Sequence, residues 1–257
     1  MHAAVTLGAL ATIVVPMSTT AYMVSKIRAA GASEVIQHGT SWFEADSYLR
    51  ETLIPQANAR GEHAVYVPPF DAEEVWEGNA TMVEEIIEQL ALDKQPPDAL
   101  ICSVGGGGLF SGVMQGLENV GHPNAQVLAV ETEGAHSLAL SLKEGRLATL
   151  PAITSIATSL GARTVASQAF DYAQRSSVQS VVLPDSAAIE GCVRFADDER
   201  IMVEASCGVS LALCYGNRLR SYLPNLNEES KVVIVVCGGS NVTAKMLSGW
   251  AESLELR

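Results

Sequence analysis

The chain has no basic stripe, no closely spaced cysteine pair and no apolar run long enough to cross a bilayer, and each absence excludes a class of function. Its 257 residues carry 16 lysines and arginines against 29 acids, a net charge of −13. That balance argues against nucleic acid as the main partner. The five cysteines (Cys102, Cys192, Cys207, Cys214, Cys237) show no CxxC or zinc spacing, and most fall in apolar segments. Reduced thiols in a cytoplasmic compartment are therefore expected. Met1 to Met17 is apolar but lacks the basic start of a secretory signal, and it is too short to span a membrane. Neither a membrane nor a secretory route is expected. Internal repeats, low-complexity tracts and flexible linkers are also missing.

What is present is alternation. Short apolar runs alternate with helical patterns, the signature of parallel strands joined by crossover helices. Strands are expected at Ala11–Pro16, Glu34–His38, Ala64–Val67, Asp98–Cys102, Gln126–Val130, Val178–Leu183 and Val232–Val236. Helices are expected at Thr19–Ala30, Ser41–Gly61, Thr81–Leu92, from Phe110 onward, and at Asp185–Ala196 with Asp185 or Ser186 as cap. Met1–Gly8 reads as the tail of a helix, Phe70–Asn79 as a connection, and Glu204–Gly208 as an interruption before a helix running to Tyr222. The fold class is α/β, with a boundary near residue 74 dividing 1–74 from 75–257.

Four consecutive glycines, Gly105–Gly108, stand between an apolar strand and a helix opening at Leu109 and Phe110. With no side chains in the way, successive N–H donors can converge on an anion, aided by the positive end of the helix dipole. A nucleoside-triphosphate loop would need a lysine after the glycines, and none follows. Two other readings stay open. Gly106, Gly108 and Gly112 with Glu131 approximate an NAD(P)-binding turn, although the spacing departs from GxGxxG. A purely structural turn is the other. A second glycine-rich strand exit, Cys237-Gly238-Gly239-Ser240-Asn241, suggests that two ends of one ligand are held at one sheet edge.

Four motifs together make the resemblance specific: SVGGGGL (103–109), AVETEGAHS (129–137), PAITSIATSLGA (151–162) and VVCGGSN (235–241). They resemble the L-serine/threonine dehydratases, pyridoxal-phosphate enzymes of the tryptophan-synthase-β-like fold type II. ATIVVP (11–16), VYVPPFD (65–71) and WEGNATMVEE (76–85) extend the resemblance over essentially the whole chain. Cysteine before GGSN points to the L-serine branch. The resemblance implies two lobes of open, twisted, mostly parallel sheets with flanking helices. It also implies pyridoxal 5′-phosphate as cofactor, an amino-acid substrate, release of ammonia by β-elimination, and a homodimer. Gly105, Gly106, Gly107, Gly108 and Leu109 would hold the cofactor phosphate, with Cys237 and Gly238 at the pyridine nitrogen. A monovalent cation (K+) would bind at Gly105, Glu131, Ala135, Leu160 and Ala162.

The same resemblance calls for a Schiff-base lysine and a Ser-Gly-Gly-Asn-type loop ahead of the ATIVVP strand, where only ten residues stand. Lys26, Lys94, Lys143, Lys231 and Lys245 all lack that context, so no catalytic residue is assigned. The expectation is a chain incomplete at its N-terminus and impaired in turnover by about 10²–10⁴-fold through loss of the base alone. With open sheet edges and a mean hydropathy of +0.20, it should also tend to aggregate or associate. A non-catalytic cofactor-binding remnant is the alternative.

Overall fold

The computed structural model describes residues 2–90 and 96–255. Two compact units divide the chain, Met1–Val67 and Pro68–Arg257.

The first unit contains helix α1 (His2–Thr6), strand β1 (Thr12–Val15), helix α2 (Ala21–Ala29), strand β2 (Glu34–Gln37) and helices α3 (Trp42–Tyr48) and α4 (Ile54–Ala59). β1 and β2 pair in parallel, Thr12 opposite Glu34. Side-chain caps set the helix starts: Thr20 accepts the N–H of Met23 and Ser41 that of Glu44. The long helix expected over 41–61 is present but changes pitch. A π turn, Leu49–Leu53, lets the Ile54 N–H reach back to Leu49 O just before Pro55, which has no N–H to give. The strand expected at Ala64–Val67 is not formed among the described residues, where this segment has no regular secondary structure. Val65 and Val67 stand 71% and 76% exposed.

The second unit runs through α5 (Glu73–Gln89), β3 (Ala99–Ser103), α6 (Gly108–Asn119), β4 (Val127–Thr132), α7 (Ser137–Glu144), α8 (Ser167–Ala173), β5 (Val178–Leu183), α9 (Asp185–Glu199), α10 (Ala205–Leu211), α11 (Arg218–Tyr222), β6 (Val232–Ile234) and α12 (Ala244–Glu255). Its sheet is wholly parallel, in the order β5-β4-β3-β6. Both central strands are buried along their whole length, as continuous apolar runs require when helices cover both faces. Leu100, Cys102, Val127 and Ala129 face one core with Val113 of α6 and Ala169 of α8. Ala99, Ile101, Leu128 and Val130 face the other with Ala188 of α9 and Val209 of α10.

Several expected boundaries move. Phe70–Asn79 is no mere connection, since α5 begins at Glu73, where Glu73 and Glu74 suit the positive end of the helix. The Trp76 indole N–H donates to Phe70 O at 2.8 Å and ties that first turn to the preceding chain. The expected helix end at Leu92, and Lys94, lie outside the described residues. Neither Asp185 nor Ser186 caps α9, whose N-cap is Pro184. Glu204–Gly208 is no interruption, because α10 starts at Ala205 and is buried throughout. β6 closes at Ile234, although the Val235 N–H still donates to Ile101 O at 2.9 Å.

Candidate functional site

All four strands of the large sheet run the same way, so the exits of β3, β4 and β6 fall on one edge, where ligands of open α/β sheets bind. Ser103 pairs with Val130 and Ile101 with Ile234. Carried onward, that register sets Glu131, Val104 and Cys237 in one row across the edge.

The loop between β3 and α6 has a particular economy of hydrogen bonds. Among the described residues, the N–H groups of Gly105, Gly106, Gly107, Gly108 and Leu109 donate to no other group, although Gly107 and Gly108 are buried. Buried main-chain donors are nearly always satisfied, and five in succession at the start of a 12-residue helix are chemically able to receive an anion. Gly107 has φ +95°, a left-handed conformation natural to glycine.

The glycines have a second reason. A Cβ on Gly106 would fall inside the Phe70 ring, and one on Gly107 would strike Ala169. A Cβ on Gly105 would lie 2.9 Å from Leu160 Cα, and one on Gly108 2.9 Å from Phe70 Cα. The missing side chains therefore make room for protein packed behind the loop, while the donors in front stay free.

The dinucleotide reading fails on the same ground. Gly112 faces Asn79 and Trp76 of α5. Glu131, fully buried, turns inward and accepts the N–H groups of Leu138 and Ala139, both at 2.8 Å, at the start of α7. Burial pushes its carboxyl up to about 8, against the pull of those two donors.

The cation positions come together through the 154–162 loop. A Cβ on Gly134 would strike Thr154, whose N–H donates to Gly134 O, so the loop lies on the 132–135 turn. Ala135 and Leu160 share one core, and Leu160 backs Gly105. Leu160 O accepts the Ala162 N–H at 2.8 Å. The carbonyls of Gly105 and Ala162 accept no hydrogen bond given for the described residues, whereas Ala135 is bridged to Thr132. Both Glu131 oxygens already accept main-chain N–H groups, those of Leu138 and Ala139.

At the β6 exit, Cys237 is exposed and unbridged, as all five cysteines are unbridged. Gly238 and Gly239 follow with φ +72° and +104°. Loss of surrounding water, then Cys207 and Glu204, push the Cys237 thiol up to about 11. It is therefore a neutral thiol at physiological pH. Asn241 Nδ2 donates to Thr158 Oγ1 at 2.9 Å and joins this turn to the 154–162 loop.

The lysines lie elsewhere. Lys143 is exposed in the last turn of α7, Lys231 stands at the entrance of β6 on the opposite sheet edge, and Lys245 is exposed on α12. Lys26 belongs to the first unit, over the Tyr22 ring. Sequence reasoning missed Phe70, Asp185 and Glu204, which shape the edge. Asp185 accepts from Ser155 Oγ at 2.6 Å and from the Ile156 N–H at 3.0 Å, pinning the loop that carries Leu160. These contacts span dozens of residues, and no local pattern announces them.

Comparison with known proteins gives a consistent result. Residues 1–238 match the family model described as "Pyridoxal-phosphate dependent enzyme". The chain is 46% identical over 237 residues to an L-serine dehydratase of Saccharomyces cerevisiae strain AWRI1631, covering 90% of this chain and 70% of that protein. It is 37% identical over 249 residues to a catabolic L-serine/threonine dehydratase of Saccharomyces cerevisiae strain ATCC 204508 / S288c, covering 95% and 69%. Its structure resembles that of a fungal L-serine ammonia-lyase from Rhizomucor miehei, with a TM-score of 0.84 and 34% identity, covering 96% of this chain and 75% of that one.

Proposed function

We propose, from the premise that the chain belongs to the pyridoxal-phosphate dependent enzyme family, that it is an L-serine dehydratase that also accepts L-threonine. The overall reaction releases ammonia and leaves pyruvate, or 2-oxobutyrate from threonine, with water lost from the side chain and regained on hydrolysis. One observation carries the reading: five successive unpaired N–H donors opening α6 at the carboxyl edge of a parallel sheet.

When bound, pyridoxal phosphate supplies a carbonyl for the substrate amine and a ring that takes up the electrons freed at the α-carbon. The chain's own residues bind and orient it. Gly105–Leu109 hold the phosphate through main-chain donors and the helix dipole. Cys237 would face the pyridine nitrogen as a neutral thiol, and Gly238, without a side chain, would leave that approach open. The carbonyls of Gly105, Ala135, Leu160 and Ala162, with the Glu131 side chain, would hold a monovalent cation, whose charge would favour the ionised form of Glu131. The free donors, and the packing of Leu160, Phe70 and Ala169 where a Cβ on Gly105–Gly108 would lie, support the phosphate assignment.

The second unit serves as the large, phosphate-binding domain and the first as part of the small one. The enzyme works in the cytoplasm, in keeping with five unbridged thiols, and as a homodimer. No described helix is long and apolar enough to cross a membrane.

Titration of the full chain with pyridoxal 5′-phosphate and with unphosphorylated pyridoxal tests the reading. Tight binding of the phosphate ester, weak binding of pyridoxal and competition by inorganic phosphate are expected. Equal affinity for both would remove the phosphate seat.

A further inference from the structure

Glu204 lies just ahead of α10 and was absorbed by neither the phosphate seat nor the cation set. Its backbone N–H donates to Gly238 O at 2.9 Å, and its Oε2 accepts the Asn241 N–H at 3.1 Å. Between those two anchor points, its side chain fills the space a Cβ on Gly239 would need, since such a Cβ would strike the Glu204 carboxylate. Three of the five residues of the Cys237–Asn241 turn therefore rest on this one acid. The turn itself runs through two left-handed glycines, a backbone with many alternatives, so an external clamp is what selects one shape.

We propose that Glu204 is a positioning residue: its backbone N–H and its carboxylate clamp the Cys237–Asn241 turn, and so fix the Cys237 thiol in place for the ring nitrogen of the cofactor, with the Glu204 charge beside it. This deepens the assignment of Cys237 made above and rests on it.

The electrostatics agree with the geometry. The groups that face Cys237 are Cys102 on β3, Cys207 on α10 and Glu204. Burial does most to push the Cys237 thiol up, then Cys207; Glu204 is the one carboxyl group among them and acts in the same direction, because a nearby negative charge opposes formation of a thiolate. The Cys207 sulfur in turn lies against the N–H groups of Cys237 and Gly238, so α10 grips the turn through both ends of one short segment.

The test is peptide-resolved iodoacetamide labelling of the full 257-residue chain across pH, with and without pyridoxal phosphate. Glu204→Gln keeps the size and an acceptor for Asn241 but removes the charge. It should move the Cys237 labelling profile to lower pH and raise the rate at pH 8 by about three- to tenfold. Glu204→Asp keeps the charge and should retain the parent profile, and Glu204→Ala should raise labelling at every pH as the turn loosens. An unchanged profile in Glu204→Gln, or an equal shift in Glu204→Asp, overturns the charge role. Unchanged labelling in Glu204→Ala overturns the clamp. Protection of Cys237 by pyridoxal phosphate in the parent chain reads the underlying assignment separately: its loss with the Glu204 shifts intact would sink Cys237 as a cofactor contact and leave the clamp standing.

Discussion

At the scale of single residues, the glycines of the phosphate seat are constrained from behind as tightly as they are used in front. Gly106→Ala pushes a methyl into the Phe70 ring, overpacking that should cost roughly 1–3 kcal/mol. Urea unfolding should show that loss, together with weaker pyridoxal phosphate binding. The Phe70→Ala/Gly106→Ala pair should bind more tightly than Gly106→Ala alone, because the space is restored while every N–H stays in place. Affinity that does not recover would mean that the loop needs glycine for its backbone freedom rather than for room. Four glycines after an apolar strand were plain in the sequence. Phe70, some 36 residues earlier, was not, because only the packing of α5 and its leading segment against the loop brings it there.

Elements meet where small residues allow it. α5 and α6 approach so closely that a Cβ on Gly116 would lie 2.6 Å from Ala80 O, and one on Gly112 2.8 Å from Trp76 O. Glycine to alanine inside a helix ordinarily gains about 1 kcal/mol. Here the sign should reverse, with Gly112→Ala and Gly116→Ala each losing about 1–3 kcal/mol in chemical denaturation because the obstacle is backbone. The 154–162 loop depends on another long-range contact, the Asp185 carboxylate at the start of α9. Asp185→Ala should free the Ile156 amide and raise its hydrogen exchange, while amides within β3 and β4 keep their protection. α10 escaped recognition because a helix buried on all sides has no polar face and hence no amphipathic period. The start of α5 was obscured for the opposite reason, since its acidic first turn looks like solvent-facing coil.

For the whole molecule, the two units differ greatly in core. The second unit has two extensive buried clusters, one on each face of its sheet, whereas the first buries little beyond Val24 and Ala45. Calorimetry should resolve two transitions, the weaker belonging to the first unit. Pyridoxal phosphate should raise the upper one, by about 2.7 kcal/mol of added stability at a hundredfold excess over Kd. A single transition, or a shift of the lower one alone, would contradict this division. Borohydride treatment of the loaded chain should leave Lys143, Lys231 and Lys245 unlabelled, since the first is in the last turn of α7, the second lies at the far sheet edge and the third is exposed on α12. Mass spectrometry of the peptides reads the outcome directly.

Sequence alone determined the parallel α/β class, the central strands and the two glycine-rich exits. Those features are written in composition along a short stretch: apolar runs that must be covered on both faces, and glycines that must turn. Tertiary structure decided what local pattern could not carry. It left Ala64–Val67 outside the described strands, turned Glu131 inward onto α7, set Phe70 against the loop and lodged Glu204 against the Cys237 turn. Each of these depends on residues distant in the chain and adjacent only after the sheet has assembled.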